Sequence, residues 1–127
     1  PIPSYYLVVA VIRRDKQILI VQRPTDGLLG GLWEFPSGDI DNVEDLPEDV
    51  CCRIIQDNFN LHIEVTGFLT QIKHAYTHFK TTMDIFECRY LSGEIVLEQM
   101  QDYRWIKSDQ IDQYPLIGAN HKFLSLV

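Results

Sequence analysis

Carboxylates are concentrated between Asp39 and Thr66, where eight acidic residues accompany a single basic residue, Arg53. The acidic residues are Asp39, Asp41, Glu44, Asp45, Glu48, Asp49, Asp57 and Glu64. Carboxylate oxygens are ligands that Mg²⁺ prefers, and Mg²⁺ beside a diphosphate would support its hydrolysis. Most of these acids, however, also suit a solvated loop that leads into a helix N-terminus. We favour this acidic surface over a metal site.

A second polar group runs from His74 to Lys80 in the order His-Ala-Tyr-Thr-His-Phe-Lys. A threonine hydroxyl donates and accepts hydrogen bonds, an aromatic ring stacks on a base, and cationic side chains reach phosphates. The same residues are also typical of a turn with aromatic side chains at a strand edge. His74 and His78 have no third ligand nearby in a helical pattern, so we expect no metal site there.

A glycine-rich loop lies between Arg23 and Gly38, followed by the short apolar run Leu32–Phe35. Such loops let the backbone approach a ligand or a neighbouring strand. The run predicts a short strand that ends at Pro36. We expect Trp33, within it, to be a packing residue, as we do Trp105 further along the chain.

The remaining pattern predicts the elements that position these groups. The runs Tyr5–Ile12 and Gln17–Gln22 predict a hairpin whose strands are covered on both faces, because both are almost continuously apolar. Pro47 suits the first position of a helix that extends to about Asn58. Its buried stripe would contain Val50, Cys51, Ile54 and Ile55. Further strands are predicted at Leu61–Leu69, Phe79–Arg89, Glu94–Leu97 and Tyr103–Ile106, and helical turns at Ser108–Gln113 and His121–Val127. This order predicts a single domain, an α+β sandwich around a mixed sheet.

Charge and cysteine content restrict the partners. The net charge of −7 argues against strong nonspecific affinity for DNA, which depends on phosphate neutralisation. Three cysteines, two of them adjacent, predict no disulfide framework and fit a reducing compartment such as the cytoplasm. No apolar stretch approaches the roughly 18–20 residues that span a bilayer, so we expect no membrane partner. The opening Pro-Ile-Pro is typical of a linker and suggests a piece of a longer chain, which we expect to be monomeric.

The segment Arg23–Gly38, with its Leu-Trp-Glu-Phe-Pro core, resembles the C-terminal domain of MutY-type adenine DNA glycosylases, which has a Nudix-like fold. The resemblance extends to His74–Phe79, which is similar to the family's Phe-Ser-His loop. In that loop Tyr76 stands for Phe, Thr77 stands for Ser, and His78 matches. The resemblance implies an α/β/α sandwich with a mixed sheet.

The Nudix signature, G-x5-E-x7-R-E-U-x-E-E-x-G-U with U a bulky aliphatic residue, is degenerate in this chain. Counted from Gly38, Glu44 occupies its expected position, but Arg53 replaces a helix glutamate and Asp57 is the one helix carboxylate left. A shift of the helix by one residue recovers Arg53 as the arginine and Leu61 as the last aliphatic residue. That shift places Ile54, Asp57 and Asn58 on the three acid positions. Either alignment predicts that the domain holds no metal and catalyses no diphosphate hydrolysis.

In the MutY family this domain recognises 8-oxoguanine opposite a misplaced adenine, and a separate N-terminal domain excises the adenine. The resemblance therefore implies two partners, DNA that contains this mispair and the N-terminal glycosylase domain of the same chain. It implies no cofactor in this domain and an iron–sulfur cluster in the other one. The lesion- and DNA-binding residues would be Tyr76, Thr77, His78 and Lys80, with His74 a weaker candidate. The location would be the bacterial cytoplasm, at the nucleoid.

The chemistry of the lesion fits this assignment. 8-Oxoguanine presents N7–H and O8 where guanine presents a bare N7 acceptor, so the Thr77 hydroxyl could match both groups. Two alternatives stay open: a free-standing Nudix hydrolase of oxidised nucleoside triphosphates, and a protein-interaction domain on the same scaffold. The degenerate signature argues against the first, and the polar loop at Thr77 argues against the second.

Overall fold

The structure is a computed structural model that describes residues 2–42 and 44–127. Within these residues, seven strands form one mixed β-sheet with the order β3-β2-β1-β6-β5, while β4 pairs with β1 and β7 pairs with β2. The strands are β1 (Ser4–Arg14), β2 (Gln17–Gln22), β3 (Trp33–Glu34), β4 (Ser37–Asp39), β5 (His62–Ala75), β6 (Lys80–Ser92) and β7 (Asp102–Lys107). The helices are α1 (Pro47–Phe59) and the short α2 (Gly118–His121), and 3₁₀ turns occupy Ser108–Gln113 and Leu124–Leu126.

Helical segments cover both faces of the sheet, as the apolar pattern predicted. Strand β1 pairs with β2 in the predicted antiparallel hairpin and runs parallel to β6 on its other side. Alternate residues of β1 enter two cores, Val8 and Ala10 on the α1 face and Val9 and Val11 on the face of the C-terminal segments. The α+β sandwich with a mixed sheet is therefore confirmed.

Helix α1 begins at Pro47 as predicted and ends one residue later than expected, at Phe59. Its buried residues are Val50, Cys51, Ile55 and Phe59. Ile54 was expected in this stripe but is only half-buried, since it lies on the flank of the helix that faces β4. The chain leaves the helix at Asn60, which adopts a left-handed conformation with φ of 58°.

Strands β5 and β6 form a long hairpin. The prediction ended β5 at Leu69, but the strand continues to Ala75, because its alternating residues keep pairing with β6 across three irregularities, after His62, at Thr66 and at Leu69. The predicted two-sided pattern of β6 is confirmed, with Met83 in one core and Phe86 in the other.

The prediction of a strand at Glu94–Leu97 was wrong. Gly93, with φ of 107°, turns the chain towards the end of α1 instead of along the sheet. There Val96 N–H donates to the Phe59 carbonyl at 3.1 Å and the Asn60 side chain donates to the Glu94 carbonyl at 3.0 Å. The segment closes the α1 core as irregular chain.

The C-terminal region supplies the second covering layer. The predicted turn at Ser108–Gln113 is a 3₁₀ turn, and the predicted one at 121–127 begins earlier, with α2 at Gly118. Phe123 then packs its ring against Phe35, with 5.5 Å between the ring centroids. In the described part of the chain, the helices are all too short or too polar to cross a membrane.

Candidate functional site

The backbone at the end of α1 distinguishes the two alignments of the degenerate signature. Asn60 has the left-handed conformation that favours glycine, and buried Leu61 follows it. Ile55 is buried as well. In the shifted alignment these three residues occupy the glycine position and the two aliphatic positions. In the unshifted alignment the glycine position would fall on Phe59, which lies inside the helix and is buried. The geometry therefore favours the shifted alignment.

In that alignment Ile54 stands at the first acid position, and its side chain lies directly on the backbone of Gly38. A Cβ atom at Gly38 would lie 2.6 Å from Ile54 Cγ2 and 2.8 Å from its Cδ1. Glycine at 38 thus permits a close helix–strand contact that any other side chain would break. An isoleucine offers no ligand atom, so this position contributes an apolar contact.

The carboxylates near this helix do not converge. Across residues 2–42 and 44–127, no group of three His, Cys, Asp or Glu side chains is arranged to hold a metal ion. Asp57 is exposed, as is Glu44, while Arg53 Nη2 lies 3.8 Å from Asp45 Oδ2. Burial, and secondarily the charge of Asp41, raises the pKa of Asp39. The acidic stretch is a solvated surface with a weak surface ion pair.

The residues predicted to bind DNA lie at the tip of the β5–β6 hairpin. Tyr76 N–H donates to the Phe79 carbonyl at 2.8 Å, which leaves Thr77 and His78 as the two turn residues. Both are exposed, as is Lys80 at the start of β6. The Thr77 hydroxyl and the His78 ring are therefore accessible to a ligand at this end of the sheet.

Tyr76 points away from the tip. Its ring stacks on Phe79, at 4.5 Å between centroids and 25° between planes, and meets the His74 ring edge-on at 4.5 Å. Phe79 in turn contacts Tyr5 of β1 edge-on at 5.9 Å. His74 Nδ1 is buried without a hydrogen-bond partner. Burial, and to a lesser degree the charge of Lys122, lowers the pKa of His74.

The rings of Tyr5, Tyr76 and Phe79 line a cleft of about 490 Å³ that sequence reasoning did not predict. A buried carboxylate, Glu34, which is 2 % exposed, lines the same cleft. It accepts hydrogen bonds from Arg23 Nη1 and, at 3.0 Å, from Ser37 Oγ. Asn120, also 2 % exposed, accepts the Phe35 N–H at 3.0 Å through its Oδ1. The cleft combines aromatic surface with an amide and an ion pair, groups that suit a nucleobase or nucleotide.

The glycine-rich loop forms the rim of this cleft. Arg23 Nε donates to the Leu28 carbonyl at 2.9 Å, and Gly31 N–H donates back to the Arg23 carbonyl at 3.2 Å. The Leu28 side chain is 59 % exposed at the rim. A Cβ atom at Gly30 would lie 2.3 Å from the Thr25 carbonyl oxygen, which explains the need for glycine there. The cleft depends on the pairing of Arg23 with Glu34 across this loop. The spacing of these two residues in the sequence does not reveal that pairing.

Comparisons with known proteins connect the chain to one family and to two kinds of relative. A model of the family described as "NUDIX domain" matches residues 7–126. The human adenine DNA glycosylase is 30% identical over 96 residues, which are 74% of this chain and 17% of that protein. The 8-oxo-dGTP diphosphatase of Proteus vulgaris is 27% identical over 73 residues, which are 58% of this chain and 64% of that protein. The chain thus spans a small part of the first relative and just under two thirds of the second.

The fold is similar to that of solved NUDIX hydrolases. The crystal structure of a MutT NUDIX hydrolase from Burkholderia pseudomallei superposes with a TM-score of 0.85 at 23% identity, and the match covers 98% of each chain. This likeness concerns the fold, including the mixed sheet and the helix that follows β4. The family model covers nearly the whole chain, and on that ground the chain belongs to the NUDIX domain family.

Proposed function

We propose that this NUDIX domain is a DNA-repair module that recognises 8-oxoguanine opposite adenine and does not hydrolyse nucleotides. The observation that carries the proposal is the contact between Ile54 and Gly38. Diphosphate hydrolysis by carboxylate-bound Mg²⁺ requires several oxygen ligands on one site. This helix places an isoleucine, an aspartate and an asparagine at the three acid positions, so binding without hydrolysis is the function that its chemistry favours.

The exposed hairpin tip supports the recognition part of the proposal. The Thr77 hydroxyl can accept a hydrogen bond from N7–H of 8-oxoguanine and donate one to O8. Guanine lacks both of these groups, and a mismatched base-edge contact typically changes the binding free energy by about 1–3 kcal/mol. His78 and Lys80 are exposed beside Thr77 and are proposed to contact phosphates.

The likeness to the human adenine DNA glycosylase supports a role within a longer protein. We propose that an N-terminal glycosylase domain with an iron–sulfur cluster excises the adenine, while this domain supplies the preference for the lesion. The net charge of −7 agrees with a domain that by itself binds DNA weakly, so that its binding is measurable at low ionic strength.

Hydrolysis of an oxidised nucleoside triphosphate is the second candidate, and two observations favour it. The chain spans a larger share of the Proteus vulgaris 8-oxo-dGTP diphosphatase than of the glycosylase. The cleft between Arg23, Asn120 and the Tyr76–Phe79 rings has the size and the polar groups for a nucleotide. Against it, no set of metal ligands lies beside α1 among the described residues.

One experiment separates the two candidates. Fluorescence anisotropy at low ionic strength would compare the affinity of the 127-residue chain for two duplexes that differ only in 8-oxoguanine or guanine opposite adenine. In parallel, release of pyrophosphate or phosphate from 8-oxo-dGTP would be followed with Mg²⁺. We expect preference for the lesion duplex and no release. Equal affinities would remove the proposal, and Mg²⁺-dependent release would replace it with the second candidate.

A further inference from the structure

Lys122 lies beside the β5–β6 hairpin although it is far from it in sequence. Its Nζ donates to the Lys73 carbonyl at 3.0 Å, across 49 residues of chain. Strand β5 is the outermost strand of the sheet path, so this carbonyl is on an edge that no other strand covers in the described structure. The hydrogen bond therefore holds the Lys122 ammonium group at the edge of the hairpin.

The charge around this end of the sheet differs from that of the chain as a whole. The segment from Lys73 to Lys80 contains two lysines and no acidic residue, whereas the chain has a net charge of −7. Lys73, Lys80 and Lys122 are all exposed. We call these three residues the hairpin cationic surface. Strand alternation places Lys73 and Lys80 on the α1 face, since Ile72 and Met83 pack into the core on the other face. Lys122 belongs to the C-terminal segment on that other face, so the three ammonium groups lie around the hairpin edge and not on one face.

An ammonium group has three donors, and the Lys73 carbonyl occupies one of those of Lys122. Two donors stay available to an anionic oxygen in front of the hairpin. Because the side chain is already ordered by its hydrogen bond, an anion that binds there loses less side-chain entropy than one that must order a free lysine.

From this geometry we infer that the hairpin cationic surface binds the DNA phosphate backbone, with Lys122 as a phosphate contact in addition to the residues of the hairpin tip. This inference rests on the proposed function, since it takes DNA as the ligand of the hairpin. Phosphate contacts position a protein on the duplex and carry no sequence information. Lys122 should thus add affinity and salt dependence, whereas Thr77 provides discrimination.

The test measures how affinity depends on salt. Binding of the chain to the 8-oxoguanine and guanine duplexes would be titrated over a series of NaCl concentrations for wild type, Lys122→Gln, Lys122→Arg and Lys16→Gln. Lys16 is exposed in the β1–β2 turn, at the opposite end of the sheet, and gives the same change of charge. The slope of log K against log [salt] is negative, and loss of one phosphate contact reduces its magnitude by about 0.9. We expect that change for Lys122→Gln on both duplexes, and wild-type slopes for the other two variants.

Each other outcome has a separate meaning. An unchanged slope for Lys122→Gln, with or without a loss of stability in urea, would show that Lys122 only caps the strand edge and would overturn the inference. An equal change for Lys16→Gln would also overturn it, because the effect would then follow net charge. A wild-type chain that binds neither duplex, or both equally, would instead remove the proposed function.

Discussion

The rings of Tyr76 and Phe79 lie 4.5 Å apart, centroid to centroid, with 25° between their planes. These residues flank the two-residue turn of the β5–β6 hairpin, and their backbones are joined by a hydrogen bond of 2.8 Å. Both rings line the cleft, not the tip. We expect the stack to hold the direction in which the turn projects, so that the presentation of Thr77 depends on it.

Replacement of Phe79 tests this dependence. Phe79→Leu should lower the free energy of unfolding by about 0.5–1.5 kcal/mol, the usual contribution of an aromatic pair beyond its buried area. It should also reduce the preference for the 8-oxoguanine duplex, because the tip is no longer held. Tyr76→Phe keeps the stack and serves as the control, with wild-type behaviour expected in urea unfolding and in anisotropy. A full lesion preference in Phe79→Leu would mean that the turn holds its shape without the stack.

Thr77→Val keeps the shape of the side chain and removes its hydrogen-bonding groups. We expect the difference in binding free energy between the 8-oxoguanine and guanine duplexes to shrink by about 1–3 kcal/mol, with little change in affinity for the guanine duplex. Thr25→Val, at another exposed threonine, is the matched control and should behave as wild type in the same titrations. Equal losses on both duplexes would assign Thr77 a supporting role in the turn only.

The degenerate signature predicts that the wild-type domain binds no Mg²⁺ at millimolar concentrations, because Ile54 and Asn58 replace two carboxylates. Isothermal titration calorimetry with MgCl₂ would measure this directly. The double variant Ile54→Glu, Asn58→Glu places carboxylates on both sides of Asp57 and should acquire weak Mg²⁺ binding. A specific Mg²⁺ site in the wild type would contradict the shifted alignment of the helix.

Trp33 is 7 % exposed in β3 and meets the Tyr114 ring edge-on at 5.1 Å. Trp33→Ala should lower the free energy of unfolding by about 3–5 kcal/mol, as deletions of large core aromatics do. Tyr103→Ala, at an aromatic residue of β7 that is 38 % exposed, is the comparison and should have a smaller effect in urea unfolding. A loss below about 1 kcal/mol at Trp33 would instead indicate a surface role.

The lowered pKa of His74 has a consequence for stability at mildly acidic pH. The unfolded chain binds a proton at this histidine near its ordinary pKa, whereas the folded protein does so only at lower pH. Stability should therefore decrease as the pH falls below about 6.5, the ordinary pKa of a histidine side chain. Urea unfolding between pH 5 and pH 7.5 would show a smaller decrease in His74→Gln than in wild type. His62→Gln, at an exposed histidine on the same strand, should follow the wild-type curve.

Much of the fold could be predicted because local patterns determine it. The continuous apolar runs of β1 and β2 predicted strands covered on both faces, and Pro47 predicted the first residue of α1. The Glu94–Leu97 segment was mispredicted, since its apolar residues Ile95 and Leu97 pack against the α1 core and do not pair in the sheet. The hydrogen bonds of the segment to the end of α1 distinguish the two outcomes, and they are tertiary contacts.

The candidate site could be predicted less completely. The polar residues of the hairpin tip are contiguous in sequence, so their type and spacing indicated them. The cleft joins Arg23, Asn120 and the hairpin rings, and Lys122 reaches Lys73 over 49 residues. Such long-range contacts leave no spacing signal in one sequence. The choice between the two alignments of the degenerate signature likewise depended on a backbone angle, the φ of 58° at Asn60.

The parallel pairing of β1 with β6 determines when this domain can fold during its synthesis. Arg13 Nε reaches Glu87 Oε1 at 2.7 Å although the two residues are 74 positions apart. Strand β1 is synthesised before β6, when only β2 and β4 are available to pair with it. Its apolar residues Val8–Ile12 therefore lack the β6 partner until much later in synthesis. Such late closure slows folding and leaves a strand edge open to other chains in the meantime. A nascent chain that stops before Lys80 would thus be an aggregation hazard and a target for chaperones, whatever the finished domain binds.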